Sequence, residues 1–220
     1  MILDDQSIEK LYKTLSKRVI VKDNPDFFPE NIAGCDVSYR EKARVSCVIF
    51  NVRKKQVIEE ITFDTKIPAE YVPSKFAKRE LPLIVEAIST ISTSFDCIIV
   101  DGHGIAHQKR AGLACFVGIV FDLPTIGCAK NILIGEFEDL VKKKGAWSSI
   151  IYKKEKVGEA VCTKDGTKPI FISPGHKVGF ENSREIILNL AINSKYPEPL
   201  RLADINTRRL GNSKIVKWHS

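Results

Sequence analysis

The spacing of hydrophobic and polar positions changes several times along the chain. In "DDQSIEKLYKTLSKRVI", Ile8, Leu11, Leu15 and Val19 recur at helical spacing behind Asp4, Asp5 and Ser7 as candidate caps, which predicts an amphipathic first helix. After the turn-rich "KDNPDFFPEN" come three β-like runs, "IAGCDVSYR", "ARVSCVIFNV" and "QVIEEITFDT". Links as short as "EK" and "RKK" between them predict a three-stranded antiparallel meander. "FAKRELPLIVEAISTIS" returns to helical spacing with Phe76, Leu83, Ile84, Ala87, Ile88 and Ile91 inward, and Pro82 predicts that the regular part starts near it. "FDCIIVDG" is a continuous apolar run closed by Asp101 and Gly102, the pattern of a strand buried on both faces.

Next, "AGLACFVGIVFDLPTIGCAK" reads as a helix and another short strand, so the middle of the chain alternates β, α and β. The fold class expected is α/β, a mixed central sheet flanked by helices. Past the basic "VKKKGAW", strands are predicted at "KVGEAVCT" and "KPIFISPG". Helices follow at "SREIILNLAI" and around Asp204 in "YPEPLRLADINTRRLG", while "NSKIVKWHS" reads as a frayed end. No repeat, low-complexity linker or compositional break divides the 220 residues, so a single domain over 1–220 is expected.

Composition narrows the class. A hydrophobic fraction of 44% and a charged fraction of 28% fit a soluble globular protein, and no apolar run is long enough to cross a bilayer. The N-terminus has acids where a signal peptide needs a basic start, so a cytoplasmic location is expected. Six cysteines scattered singly through apolar segments read as reduced core thiols rather than a zinc ribbon. The formal charge of +7 tilts the expectation toward a polyanionic partner.

Against that background a few polar residues stand out. Asp36 interrupts an apolar strand, where a carboxylate must be paired, hydrogen-bonded or metal-bound, yet alternation places Gly34, Ser38 and Arg40 on the same face and leaves a solvent-facing reading equally open. Asp101 ends the buried strand, where ligands of open α/β sheets collect, although a turn-forming aspartate also fits. His103 and His107 lie four apart, the spacing of a helical zinc pair, but the neighbouring glycines argue against a helix. Gly102 and Gly104 suit close approach of the backbone to a phosphate or base, with Lys109 and Arg110 adding charge beside them. Taken singly, Glu80 reads as a helix-start acid and Asp204 as a cap or surface ion pair.

Several blocks together resemble the endonuclease V family of deoxyinosine 3′ endonucleases: "IAGCDVSY", "YVPSKFAKRELP", "DGHGIAHQKRAGLACFVGIVFDLPTIGCAK", "ISPGHKV" and "PEPLRLAD", in family order from about residue 31 to residue 204. The resemblance implies a ribonuclease H-like fold. It also implies hydrolysis of the second phosphodiester bond 3′ to a hypoxanthine, leaving 3′-hydroxyl and 5′-phosphate ends, with Mg2+ or Mn2+ as cofactor. By the same resemblance Asp36, Glu80 and Asp101 would hold the metal, Asp204 would complete the acidic set, and Lys130 would face the scissile phosphate. Tyr71 and Pro73 match the strand-separating wedge, while Gly102, Gly104 and His107 match the loop around the extruded base. Ser74, Lys75 and Lys78 depart from the usual wedge sequence.

The partner implied is DNA containing deoxyinosine, bound by a monomer with no membrane involved. An inosine-specific endoribonuclease is the alternative within the same fold. A non-catalytic nucleic-acid binder and a zinc hydrolase built on His103, His107 and His176 are the readings from other classes.

Overall fold

The structure is a computed structural model that describes residues 12–68, 76–209 and 214–217. Of the first helix it describes residues 12–16 (α1); the cap candidates and the wedge residues Tyr71 and Pro73 lie outside the described residues.

Among the described residues nine strands form one mixed sheet: β1 (Asn31–Tyr39), β2 (Ala43–Asn51), β3 (Gln56–Thr65), β4 (Cys97–Asp101), β5 (Thr125–Ala129), β6 (Trp147–Tyr152), β7 (Glu155–Val161), β8 (Ile170–His176) and β9 (Lys214–Lys217). The spatial order is β6-β7-β8-β5-β4-β1-β2-β3-β9. As the short links require, β1, β2 and β3 form an antiparallel meander. β4 then runs parallel to β1 and β5 parallel to β4, while β8 returns antiparallel beside β5.

The helices α2 (Phe76–Thr90), α3 (Leu113–Phe121), α4 (Phe180–Leu190) and α5 (Glu198–Arg208) cover both faces. The period of two along the central strands sorts their side chains between two cores. On one side Ala33, Cys35, Ile98 and Val100 pack with Leu83, Ile84 and Ile88 of α2 and Phe116 of α3. On the other, Ile32, Cys97 and Ile99 pack with Ile186, Ile187 and Leu190 of α4 and Leu200 of α5. All six cysteines are free and buried, as their apolar settings imply.

Three expectations need correction. Helix α2 does not wait for Pro82: it starts at Phe76 and carries the proline inside. A proline removes one intrahelical bond, and burial of Leu83, Ile84, Ala87 and Ile88 holds the helix across that gap. The end of the chain is not simply frayed, because Lys214–Lys217 pairs with β3 as the outermost strand. Finally, β6 has no counterpart among the predicted strands.

Candidate active site

Asp36 settles its ambiguity through the helix that covers its face. Gly34, two residues earlier, lies so close under α5 that an added Cβ would stand 2.6 Å from Leu200 N and against the Pro199 carbonyl carbon. Ser38 donates to the Thr207 carbonyl at 2.8 Å and Arg40 to the Arg208 carbonyl at 2.8 Å, so the whole polar face of β1 is capped by α5. Beneath that cap Asp36 is 7% exposed and accepts a 2.8 Å hydrogen bond from the Thr207 hydroxyl.

The other acids converge on it. β4 lies beside β1 and ends at Asp101, while Glu80 reaches in, 9% exposed, from the first half of α2. Burial, then repulsion from Asp101, raises the Asp36 carboxyl to about 6 despite the Thr207 bond. Burial, then repulsion from Asp36 and Asp101, raises Glu80 to about 8. Asp101 is also raised, chiefly by burial, with Lys130 pulling the other way. Carboxylates that desolvate and repel one another in this way hold protons or call for a cation.

Lys130, just past the end of β5, supplies one positive charge. Its ammonium stands 2.9 Å from Asp204 and 3.4 Å from Asp101. Burial alone would lower its pKa, but the Asp204 hydrogen bond and the surrounding acids outweigh that and raise it. Arg208 donates to Asp204 from the next turn of α5 at 2.7 Å.

A cavity of about 360 Å³ opens from this cluster, lined by Asp36, Glu80, Asp101 and Lys130 at one end and by Gly102, His103, His107 and Tyr12 at the other. Its far wall is aromatic: the Tyr12 ring stacks on His107 at 5.7 Å and 12°, and meets Phe116 edge-on at 4.8 Å. The Lys109 N–H donates to Nδ1 of His107 at 3.3 Å. Burial, then proximity to His107, lowers His103 to about 4, so its imidazole is neutral at neutral pH. A second cleft of about 310 Å³ lies on the other side of Asp101 and Lys130, bounded by Tyr196, Arg201, Asp204 and Arg208. A larger open groove of about 920 Å³ along β6 touches none of these acids.

The two loop glycines part company. Gly102 lines the cavity, whereas Gly104 is spent on packing: a Cβ there would strike the Pro174 carbonyl and stand 2.7 Å from that of Ser173. Its N–H donates to the Ser173 hydroxyl at 2.7 Å, so its close approach is to β8.

The zinc reading fails on placement. His176 accepts from the Ile20 N–H at 3.3 Å and sits near Asp122 at 3.6 Å, apart from His103 and His107. Among the described residues no three His, Cys, Asp or Glu side chains form a ready-made metal cage. What the carboxylate cluster does offer is donor chemistry, buried oxygen ligands with excess negative charge, which suits a hard divalent cation rather than zinc.

Sequence reasoning passed over Tyr12 and Thr207. Tyr12 does continue the stripe of Ile8, Leu11, Leu15 and Val19, a signal that reads as core packing. Nothing local marks Thr207 as a partner of a residue far up the chain.

A family model described as Endonuclease V matches residues 13–205. The chain belongs to the endonuclease V family. It is 40% identical to the endonuclease V of Dictyoglomus turgidum over 209 residues, 94% of this chain and 90% of that one. The crystal structure of the Bacillus subtilis endonuclease V superposes with a TM-score of 0.88 at 31% identity, covering 94% of this chain and 91% of the other. The Ciona intestinalis endonuclease V, solved in complex with a 23mer DNA containing an inosine followed by a ribo-adenosine, is 24% identical with a TM-score of 0.81 over 94% of this chain and 97% of its own. The fold of this endonuclease is thus ribonuclease H-like. Among the described residues no helix is long and apolar enough to cross a membrane.

Proposed function

We propose that this chain, acting as a monomeric single domain in the cytoplasm, nicks a DNA strand at the second phosphodiester bond 3′ to a hypoxanthine. The observation that carries the reading is the meeting of a buried acidic cluster with an aromatic-walled cavity at the end of β4. The single-domain reading is supported by one sheet that takes strands from Asn31 to Lys217.

In this reading Asp36, Glu80 and Asp101 hold Mg2+ or Mn2+, with Asp204 at the edge of the set. The bound cation supplies Lewis acidity, easing deprotonation of the attacking water and steadying charge on the phosphate oxygens. The chain's own groups do the rest. Thr207 keeps one Asp36 oxygen fixed by its hydrogen bond, which leaves the other oxygen to serve a cation. The Lys130 ammonium, shared between Asp101 and Asp204, stands where it can meet a phosphate and offset the charge that builds during bond breaking.

An extruded base would enter the cavity and lie against the ring wall of His107 and Tyr12. Hypoxanthine offers O6 as acceptor and N1–H as donor, the reverse of adenine at both positions, and the neutral His103 and the backbone at Gly102 can match that edge. Tyr71 and Pro73 are assigned to the wedge by family position alone.

Matched DNA and RNA strands carrying one inosine, incubated with Mg2+, test the reading. Cutting of the DNA, leaving 3′-hydroxyl and 5′-phosphate ends, is expected, and Asp36→Asn or Asp101→Asn should slow it by more than about a hundredfold. Cutting of RNA alone would reassign the enzyme as an inosine endoribonuclease. No cutting of either strand would overturn the proposal.

A further inference from the structure

The hairpin that joins β6 to β7 has an unusual tip. Tyr152 pairs with Glu155, which leaves Lys153 and Lys154 as a two-residue turn, and their φ angles are +51° and +66°. Turns of this kind select Asn-Gly or Asp-Gly, because a Cβ crowds the backbone in the left-handed region. Here both positions are lysine, and both side chains are exposed. Packing therefore does not explain the choice of residue at either position. Strained backbone kept for exposed charge directs attention to what those charges meet.

The tip is fastened to two of the segments that lead into the cavity lining. On one side Glu155 pairs with Arg110 of the loop that carries Gly102, His103 and His107, and the Arg110 guanidinium lies 5.7 Å from the Tyr152 ring. On the other, Glu136 and Ile151 exchange backbone hydrogen bonds of 3.0 and 2.8 Å, which ties β6 to the segment continuing from Asn131–Leu133. The half-buried Tyr152 ring also sits 5.3 Å from the Lys153 ammonium. The two lysines are thus carried on a turn tied to two chain segments that lead into the cavity lining, by contacts that do not consume both of their charges.

We propose that Lys153 and Lys154 form a phosphate-backbone contact that grips the nucleic-acid strand beside the base cavity. The inference rests on the endonuclease reading above and adds a binding surface to it. Because phosphate contacts carry no sequence information, the grip should act equally on damaged and undamaged strands.

Three double variants test it: Lys153→Asn with Lys154→Gly, which suits the turn and removes the charge; Lys153→Gln with Lys154→Gln, which keeps the strain and removes the charge; and Lys153→Arg with Lys154→Arg, which keeps both. Binding to a fluorescent inosine duplex and to its undamaged twin is followed by anisotropy across a range of salt, without divalent metal, alongside a thermal melt. The Asn-Gly and Gln-Gln proteins should both bind several-fold more weakly to both duplexes. Their slope of log K against log salt should be shallower by about 1.8, about 0.9 for each lost phosphate contact, with the arginine pair near wild type. The Asn-Gly protein should melt no lower than wild type, which separates lost charge from lost fold. A wild-type slope in either charge-removing variant overturns the proposal, as does weakening confined to one duplex. Wild-type protein that neither binds nor cuts would sink the endonuclease reading and this inference together; wild-type cutting with unchanged slopes sinks this inference alone.

Discussion

Replacing Glu80 with Gln should make the metal-free protein more stable while destroying its function. The Glu80 carboxyl is raised from 4.5 to about 8 by burial and by Asp36 and Asp101. Between those two values the folded protein keeps a proton that the unfolded chain has released, so stability falls as pH climbs and levels off above about 8. At about 1.4 kcal/mol per pKa unit, the penalty relative to the protonated form is about 2 kcal/mol at pH 6 and about 4 kcal/mol at pH 8. Glutamine keeps the shape and never ionises. The stability gap between variant and wild type should therefore widen by about 2 kcal/mol from pH 6 to pH 8, or about 1 M in urea midpoint for a slope of about 2 kcal/mol per molar. Urea melts with a chelator at pH 6, 7 and 8 measure it, and comparing the two proteins cancels groups common to both, such as His103. Adding Mg2+ should then stabilise wild type more than the variant, and more so at higher pH, because ligand binding and proton release are linked. Equal midpoints at pH 8, or a gap that stays constant across the range, would refute the claim that these acids strain one another.

Other substitutions probe the supports of the site. Gly34→Ala should lower stability by about 1–3 kcal/mol, because its Cβ would meet α5 backbone that cannot turn aside, and the same melts check it. Lys130→Ala should reduce the single-turnover cutting rate by about 10²–10³-fold with little change in substrate affinity, since the charge it offers matters most as the bond breaks. Tyr12→Ala should cost about 3 kcal/mol of stability and narrow the preference for inosine over adenine, while Tyr12→Phe keeps the ring stack; melts and paired cleavage assays separate the two effects.

The parts of the fold legible in the sequence are those with local causes. Three apolar runs joined by two- and three-residue links have few ways to pair other than as a meander, and "CIIV" buried on both faces belongs in the centre of a sheet. β6 escaped notice because only Ile150 of its six residues is buried, so "WSSIIY" carries almost no alternation; pairing with β7 and the bridge at Glu136 define it. β9 is four residues long and takes its strand character from the open edge of β3.

The acids follow the same division. Periodicity places Asp36 with Gly34, Ser38 and Arg40, but whether that face is wet or covered depends on α5, which arrives more than a hundred and fifty residues later. The wish of a single carboxylate for a partner is readable; the identity of the partner is a tertiary fact. The resemblance to known endonucleases names the acids as a set, and the fold brings Asp36, Glu80 and Asp101 together, whereas the packing of Gly104 against β8 is again a tertiary fact.

The position of Asp101 explains why these parts work as one site. It is the last residue of a strand whose preceding four are buried, so the rigid centre of the sheet fixes its carboxylate, while the loop that begins at Gly102 is free to shape a cavity. Asp101 and Lys130 border both the cavity and the cleft toward Asp204 and Arg208. A strand bound with its damaged base in the first would run its backbone past this pair into the second. On the proposed reading, a base that fails to seat would leave the phosphate short of Lys130, and the two residues that divide the spaces would make cutting depend on recognition.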